Sequence, residues 1–189
     1  PAAGTYTPAG GDDGTTGLAY ADYIGTETVR NGLYAFANDA GFRLLSMPDV
    51  FSFLSDANAH TCHASAVAWA AERKVVRVLT NVPPSVTTMA NALAWRRRTG
   101  GFASGSPIDS AYAALYAGWH ELPDPASRGV LWVPLDGEVL AAHAACAKTG
   151  GVWFAPAGAE RGRLSPEVRR LRLNLTERQV TELNAAGVN

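Results

Sequence analysis

The chain has 189 residues, of which 47% are hydrophobic and only 17% are charged, and its formal net charge is −1. Because ordinary soluble domains carry about 25% charged residues, this surface is sparsely charged, and we expect a partner to cover part of it. The near-neutral balance argues against nucleic acid or an anionic membrane as the main partner, and the apolar stretches are far shorter than the roughly 20 residues of a membrane span.

Apolar periodicity predicts helices and strands that alternate along the chain. The predicted helices comprise residues 26–40, 56–74, 83–98, 137–148 and a last one that stops near Gly187, where Thr176 and Gln179 match a capping box. The predicted strands comprise residues 42–47, 75–79, 112–119, 152–155 and 171–175. Residues 130–133 fit either a short strand or an extended lead into the next helix, whereas 120–129 is predicted to be a loop and 155–170 a long excursion from the sheet.

This alternation implies parallel strand pairing through right-handed crossovers. We therefore predict a three-layer α/β domain with a mostly parallel sheet flanked by helices. The length fits one domain over residues 1–189.

One alternative function is a subtilisin-related serine hydrolase, which needs a carboxylate, an imidazole and a hydroxyl in the order Asp, His, Ser. The residues in that order are Asp12 or Asp13, His60 or His63, and Ser104 or Ser106. The sequence around Ser104 matches neither the Gly-Thr-Ser motif of subtilisins nor the Gly-x-Ser-x-Gly elbow. We therefore predict no catalytic residues and no enzyme.

A metal site is the second alternative, since His60, Cys62 and His63 are residue types that bind zinc. On a helix, however, position 62 points about 200° away from position 60, so we predict no metal and no cofactor. Cys62 and Cys146 lie on separate helical patterns, which favours reduced thiols. The glycine-rich residues 10–17 are interpreted as a turn, with a weak calcium site as the alternative.

The most specific stretch is Gly151-Val152-Trp153-Phe154-Ala155-Pro156-Ala157, followed by Arg161-Gly162. It resembles a Gly-Val-Trp-x-Ala-Pro-Ala run that leads to an Arg-Gly in contractile-tail sheath proteins. Upstream, residues 109–119 are similar to the family's Tyr-Ala-Ala-Leu-Tyr strand with its Trp, through Tyr112, Leu115, Tyr116 and Trp119. Downstream, residues 183–189 are similar to Leu-Asn-Pro-Ala-Gly-Ile-Asn, through Leu183, Asn184 and Gly187. Two positions depart from the pattern: Gly150 stands where the family often has Asp, and Ala185 where it has Pro.

The resemblance implies the subtilisin-like domain of a sheath subunit, a domain without protease activity. Such subunits form helical homo-oligomers around an inner tube and contract irreversibly, which drives the tube through a target envelope. The N-terminal arm and the C-terminal, tube-facing domain with its arm are expected outside residues 1–189. Contacts with the tail tube protein and the baseplate are expected through those parts, without nucleic acid or membrane insertion.

The implied location is a bacteriophage tail or an injection particle assembled in the bacterial cytoplasm. A non-sheath binding module of similar fold remains an alternative. Candidate subunit contacts are the basic residues Arg96, Arg97, Arg98, Arg161 and Arg163. The first three also suit the end of a helix, where cations interact favourably with the macrodipole.

Overall fold

Two small sheets and seven α-helices organise the described part of the chain, which in the computed structural model comprises residues 11, 14–39 and 41–189. The helices are α1 (Tyr20–Ile24), α2 (Val50–Phe53), α3 (Asp56–Arg73), α4 (Met89–Arg97), α5 (Asp136–Gly150), α6 (Gly158–Arg161) and α7 (Glu177–Ala185). The strands are β1 (Leu44–Leu45), β2 (Arg77–Asn81), β3 (Ala113–Tyr116), β4 (Trp119–Pro123), β5 (Val130–Pro134) and β6 (Arg170–Leu171). Two 3₁₀ helices cover Gly32–Phe36 and Gly100–Phe102.

The first sheet is parallel, with the strand order β1-β2-β3. Val188 forms a parallel bridge with Leu115 at the outer edge of β3. The N–H of Asn189 donates to the carbonyl of Leu115 at 2.9 Å, and the N–H of Ala117 donates to the carbonyl of Asn189 at 2.7 Å. This sheet confirms the predicted α/β class and its parallel pairing.

Helices lie on both faces of the parallel sheet. Val78 of β2 belongs to an apolar cluster with Cys62 and Ala66 of α3. The preceding residue, Arg77, is close enough to His143 of α5 to lower the pKa of that imidazole, although burial lowers it more. Because successive side chains of a strand point to opposite faces, α3 and α5 sandwich β2.

The second sheet is antiparallel, with the order β5-β4-β6, and departs from the prediction of one mostly parallel sheet. The predicted strand 112–119 divides into β3 and β4, and the predicted loop 120–129 is wrong because its first residues continue β4. Gly118 lies at the division, where a Cβ would come within 2.2 Å of the Leu135 side chain. A side chain at 118 would therefore displace the chain that leads into α5.

Three other predicted elements are wrong. Of the predicted helix 26–40, the described residues 26–39 form turns and a 3₁₀ helix, since the Thr26 N–H donates to the Asn31 side chain at 2.8 Å and Arg30 adopts a φ of 57°. Residues 152–155 form a turn with exposed side chains, so their apolar character does not reflect burial in a sheet. Only Leu171 of the predicted strand 171–175 lies in a strand.

The long helices are confirmed except at the start of α4, which begins at Met89 after its cap Thr88, so residues 83–88 of the predicted helix 83–98 are not helical. Caps explain the helix limits. Ser55 accepts a hydrogen bond from the Asn58 N–H at 3.3 Å at the start of α3, which ends where Lys74 adopts a left-handed φ of 60°. The predicted capping box at α7 is present, with Gln179 accepting from the Thr176 N–H at 2.9 Å. Cys62 and Cys146 are buried free thiols, as predicted.

Candidate functional site

The segment that carries the sheath resemblance forms an exposed loop, Gly151–Gly162, named the tryptophan loop below. Helix α5 ends where Gly151 adopts a φ of 103°, and its N–H still donates to the Ala147 carbonyl at 3.2 Å. A Cβ on Gly151 would lie 2.6 Å from the indole of Trp153, so a side chain here would collide with that ring in addition to straining the backbone. The two conditions explain why glycine precedes Val-Trp.

Large apolar side chains of this loop face solvent. Val152 is 85% exposed and Trp153 is 79% exposed, and the Trp153 and Phe154 ring centroids lie 6.5 Å apart. The guanidinium of Arg161 covers the Phe154 ring at 4.4 Å from its centroid. An exposed apolar patch bordered by a cation is typical of a surface that a protein partner covers.

The other motif residues of the loop keep it folded back on α5. Phe154 packs against Gly150, where a Cβ would lie 2.5 Å from the ring. The sulfur atom of Cys146 lies 3.6 Å from the carbonyl oxygen of Arg161. Pro156 and Gly162 are half-buried, whereas Ala155 and Ala157 are exposed. Glycine at 150, which departs from the family's Asp, thus makes room for an aromatic ring.

Most of the motif residues outside the loop pack in or against the core, whereas Asn184 and Gly187 are exposed. Trp119 is 6% exposed, contacts Phe51 with ring centroids 6.4 Å apart, and donates from Nε1 to the Val82 carbonyl at 2.9 Å. Tyr112, Leu115 and Tyr116 are half-buried at or next to β3, and burial raises the pKa of Tyr116. At α7, Leu183 is 3% exposed and Asn184 is exposed, while Gly187 follows the helix with a φ of 75°.

The candidate arginines divide into buried and exposed groups. Arg98 is 7% exposed, adopts a left-handed φ of 54° as the cap of α4, and stacks on Trp95 at 4.3 Å from the ring centroid. Its guanidinium donates twice to the Ser104 carbonyl.

Arg96 donates to the Ile108 carbonyl at 3.0 Å and pairs with Asp109 at 3.4 Å. Arg97, Arg161 and Arg163 are exposed.

The hydrolase candidates do not form a serine–histidine pair. The Nε2 atom of His60 lies 2.9 Å from the backbone carbonyl of Ser106, and the Ser104 carbonyl accepts from Arg98. Burial lowers the pKa of His60, with a further contribution from the charge of Arg98. Asp12 and Asp13, with Gly10 of the glycine-rich segment, lie outside the described residues.

The candidate zinc residues His60, Cys62 and His63 do not form a metal-binding group. Burial raises the pKa of the Cys62 thiol to about 11, whereas burial and the nearby His60 lower the pKa of His63 to about 3. Within the described ranges, His, Cys, Asp and Glu side chains do not gather in groups of three or more that could hold a metal ion. Of the helices described, none combines the length and apolar character that a membrane span requires.

A buried polar network at the sheet was not predicted. Asp136, 1% exposed at the start of α5, accepts hydrogen bonds from Ser46 and Asn81, each at 2.5 Å. Burial raises the pKa of Asp136, and the two hydrogen bonds oppose that shift. The feature of the sequence that could have indicated this network is a polar residue at each of two element ends. Asn81 ends β2, and Asp136 begins α5. The network fastens α5 to β2 and to the residue after β1.

The fold is shared with proteins of a phage-tail-like particle. A chain of the anti-feeding prophage (AFP) baseplate, in a 6-fold symmetrised cryo-EM structure, matches with a TM-score of 0.54 and 23% identity over 83% of this chain. A chain of the AFP helical sheath in its contracted state matches with a TM-score of 0.53 and 22% identity, again over 83% of this chain. The structural neighbours are contractile injection system components.

This chain spans little more than a third of the length of each of these two structural neighbours. It covers 36% of the baseplate chain and 37% of the sheath chain. Neither a family model nor a curated protein matches the sequence. The likeness therefore lies in the backbone fold, in agreement with the α/β architecture described above.

Proposed function

We propose that this chain is a structural domain of a contractile injection particle, and specifically the subtilisin-like domain of its sheath subunit. The observation that carries the proposal is the fold likeness to a chain of a helical sheath. The tryptophan loop supports it independently, because the most specific motif of the sequence forms an exposed apolar surface. Such a surface fits a protein that works in contact with copies of itself.

The proposed mechanism needs neither a nucleotide nor a cofactor. Subunits polymerise helically around an inner tube, and the free energy of contraction is stored in alternative contacts between rigid domains. The helices on both faces of the parallel sheet, tied by the Asp136 network, provide such a rigid body. Val152 and Trp153 would then contact a second copy, while the exposed arginines exchange partners between the extended and contracted lattices.

The wider assembly is part of the same proposal. Contacts with the inner tube and the baseplate would come from parts of the subunit other than this domain. The particle would be a bacteriophage tail or an injection particle assembled in the bacterial cytoplasm.

A second candidate is a baseplate component, which the likeness to the AFP baseplate chain favours. The two candidates differ in assembly, since a sheath grows by helical addition and the AFP baseplate structure has 6-fold symmetry. Electron microscopy of the full-length protein that carries this domain, expressed alone, separates them. Hollow tubes with a helical repeat are expected for a sheath, and discrete rings for a baseplate component. Monomers at high protein concentration would contradict both.

The role of the arginines is tested by charge reversal in those tubes. Arg97→Glu, Arg161→Glu and Arg163→Glu are expected to change the denaturant or acid concentration at which tubes contract, because exposed ion pairs between subunits would be lost or formed. Arg169→Glu is the matched control, since Arg169 is an exposed arginine outside the motif segments. Contraction that is unchanged in all three variants would contradict this role.

A further inference from the structure

One face of the antiparallel sheet is apolar and only partly covered. The register places Leu122 opposite Leu131, and His120 opposite both Val133 and Leu171. Because alternate residues of a strand point to opposite faces, these five side chains share one face, named the leucine face below. Leu131 is 49% exposed and Leu171 is 43% exposed. The leucine face therefore presents apolar surface that the described part of the chain leaves open.

The leucine face borders an open groove of about 410 Å³. Four of its residues line the groove, together with the start of α5 at Gly137 and with Pro48 and Ser52 before and within α2. Pockets that receive small apolar groups typically measure about 300–1,000 Å³. The groove is therefore large enough to receive side chains of another molecule, and the exposure of Leu131 shows that such side chains reach its wall.

Two carboxylates give the groove a negative charge. Asp49 and Glu138 line it, whereas Arg170 points to the opposite face of the sheet, where it pairs with Glu121 at 2.6 Å. Among the described residues, Asp49 and Glu138 form no ion pair, and each accepts a hydrogen bond from a neutral group. An apolar groove with an acidic border favours a partner that combines apolar side chains with a cation.

The tryptophan loop has this complementary character. Val152 and Trp153, 85% and 79% exposed, form its apolar tip. Arg161 stacks on Phe154 at 4.4 Å from the ring centroid, which brings a cation next to that tip. In the described ranges Arg161 forms no ion pair, so its charge is available to a carboxylate of another molecule.

The groove and the tryptophan loop lie at opposite ends of one helix. Glu138 belongs to the first turn of α5, and Gly151 directly follows its last residue. At about 1.5 Å per residue, these two positions are about 20 Å apart. Because the loop folds back on its own end of α5, its tip meets the groove of another copy and not its own. A contact between two different surfaces joins copies head to tail, which builds rings or open helices.

Given the proposed function, on which this assignment rests, we infer that the groove beside the leucine face receives Val152 and Trp153 of a second copy. The two apolar side chains pack against Leu122, Leu131 and Val133. Arg161 of the second copy lies beside Asp49, which is exposed at the groove. Each copy carries both surfaces, so one kind of contact, repeated, is enough for a helical lattice.

The test is cross-linking between two differently tagged variants of the full-length protein that carries this domain, mixed before assembly. One variant carries Val152→Cys and the other Leu131→Cys, and a short bismaleimide joins thiols that lie close together. Because a bound pair raises the local concentration of its thiols, this pair should cross-link about tenfold faster than Val152→Cys with Val180→Cys. Val180, a 42% exposed apolar residue of α7, is the matched control. The native thiols of Cys62 and Cys146 are buried and should not react.

Charge reversal tests the polar part of the contact. Asp49→Arg and Arg161→Asp, each introduced into both cysteine variants, are expected to slow the selective cross-linking about threefold, and the double change to restore it, because the exchanged charges attract again. Arg169→Asp, at an exposed arginine outside the motif segments, should leave the rate unchanged. Absence of rescue by the double change overturns the placement of Arg161 beside Asp49.

Electron microscopy of the same samples separates the contact from the sheath role. Tubes in which Leu131→Cys and Val180→Cys cross-link equally overturn the groove contact and leave the sheath role standing. Tubes that protect the Leu131→Cys thiol without linking it to position 152 also overturn the contact, since another segment then occupies the groove. Monomers without selective cross-linking contradict both. Selective cross-linking in rings supports the contact and contradicts the helical sheath.

Discussion

Two tryptophans of the sheath-like motifs have opposite environments. Trp119 is 6% exposed between Phe51 and the Val82 carbonyl, whereas Trp153 is 79% exposed at the tip of the tryptophan loop. A motif match gives both residues the same apparent importance. The structure separates them, since burial assigns Trp119 to folding, while the exposure of Trp153 next to the exposed Val152 is typical of a surface that a partner covers.

The same contrast applies to their glycine neighbours. Gly118 precedes Trp119 where the chain passes from the parallel sheet to the antiparallel sheet, and its missing side chain makes room for Leu135. Gly151 makes room for the indole of Trp153 and lets the chain turn outward. One glycine permits internal packing, and the other permits the display of a surface.

The largest effect is expected for the buried member of the pair. Trp119→Ala removes a large core side chain and leaves the Val82 carbonyl without its donor, so the free energy of unfolding should fall by about 3–5 kcal/mol. Urea denaturation of the 189-residue chain measures it. Trp119→Phe, which keeps an aromatic ring and loses the N–H, should cost clearly less. Equal costs for the two variants would mean that the hydrogen bond, not packing, dominates.

The second effect concerns the buried Asp136 network. Asp136→Ala leaves the amide of Asn81 and the hydroxyl of Ser46 without their acceptor, so a loss of about 2 kcal/mol is expected near pH 7. Burial holds the folded-state pKa of Asp136 above its value in the unfolded chain, so the folded state binds the proton more tightly. The contribution of this group to stability is therefore greatest in acid and decreases as the pH rises through the raised pKa.

The stability difference between wild type and Asp136→Ala should thus be larger near pH 5 than near pH 8. Asp124 provides a comparison, because its pKa is shifted in the opposite direction from that of Asp136. Hydrogen bonds from Ser127 and Ala126 lower the pKa of Asp124. Its contribution is present above the unfolded-state pKa and is lost as the pH falls, so the cost of Asp124→Ala should shrink in acid. Parallel pH profiles for the two variants would contradict this assignment.

Local sequence predicted the elements that local interactions determine. Helix α3 follows from its apolar spacing and the cap at its start, and α7 from the Thr176–Gln179 box. The pairing of β4 with β6 could not be predicted in this way, because Glu121 and Arg170 lie 49 residues apart in the chain. The exposure of Trp153 could not be predicted from the sequence either. A run of four apolar residues is typical of a buried strand, and the pattern does not show whether another part of the chain covers it.

The arginines illustrate the same limit at the candidate site. Adjacency in the sequence groups Arg96, Arg97 and Arg98 at a helix end, and the structure confirms this position for Arg96 and Arg97 in the last turn of α4, with Arg98 as the cap that follows. Only the fold shows that the left-handed conformation at position 98 turns that guanidinium inward onto Trp95. Adjacency also does not indicate that Arg98 and His63 line the same cleft.

A smaller effect is expected at a cap that the sequence did predict. Thr176→Ala removes the hydroxyl that accepts from the Gln179 N–H at 3.4 Å, and should cost about 1 kcal/mol of stability. Thr181→Ala, within the same helix, is the control. Its hydroxyl only donates to the Glu177 carbonyl at 3.1 Å, and alanine favours a helix interior, so stability should be unchanged or slightly higher. Equal losses would show that the cap contributes nothing specific.

The smallest effect on folding, and the sharpest test of the comparison, is expected for Trp153→Ser. Because the indole is 79% exposed, its removal should change the free energy of unfolding by less than about 0.5 kcal/mol. In the full-length protein the same change should reduce tube formation, measured by electron microscopy and sedimentation at matched concentrations. Val180→Ser, at a 42% exposed apolar position of α7, controls for the loss of surface hydrophobicity in general. A Trp153→Ser protein that assembles like wild type would remove the tryptophan loop from the proposed lattice and leave the exposure of its indole without a function.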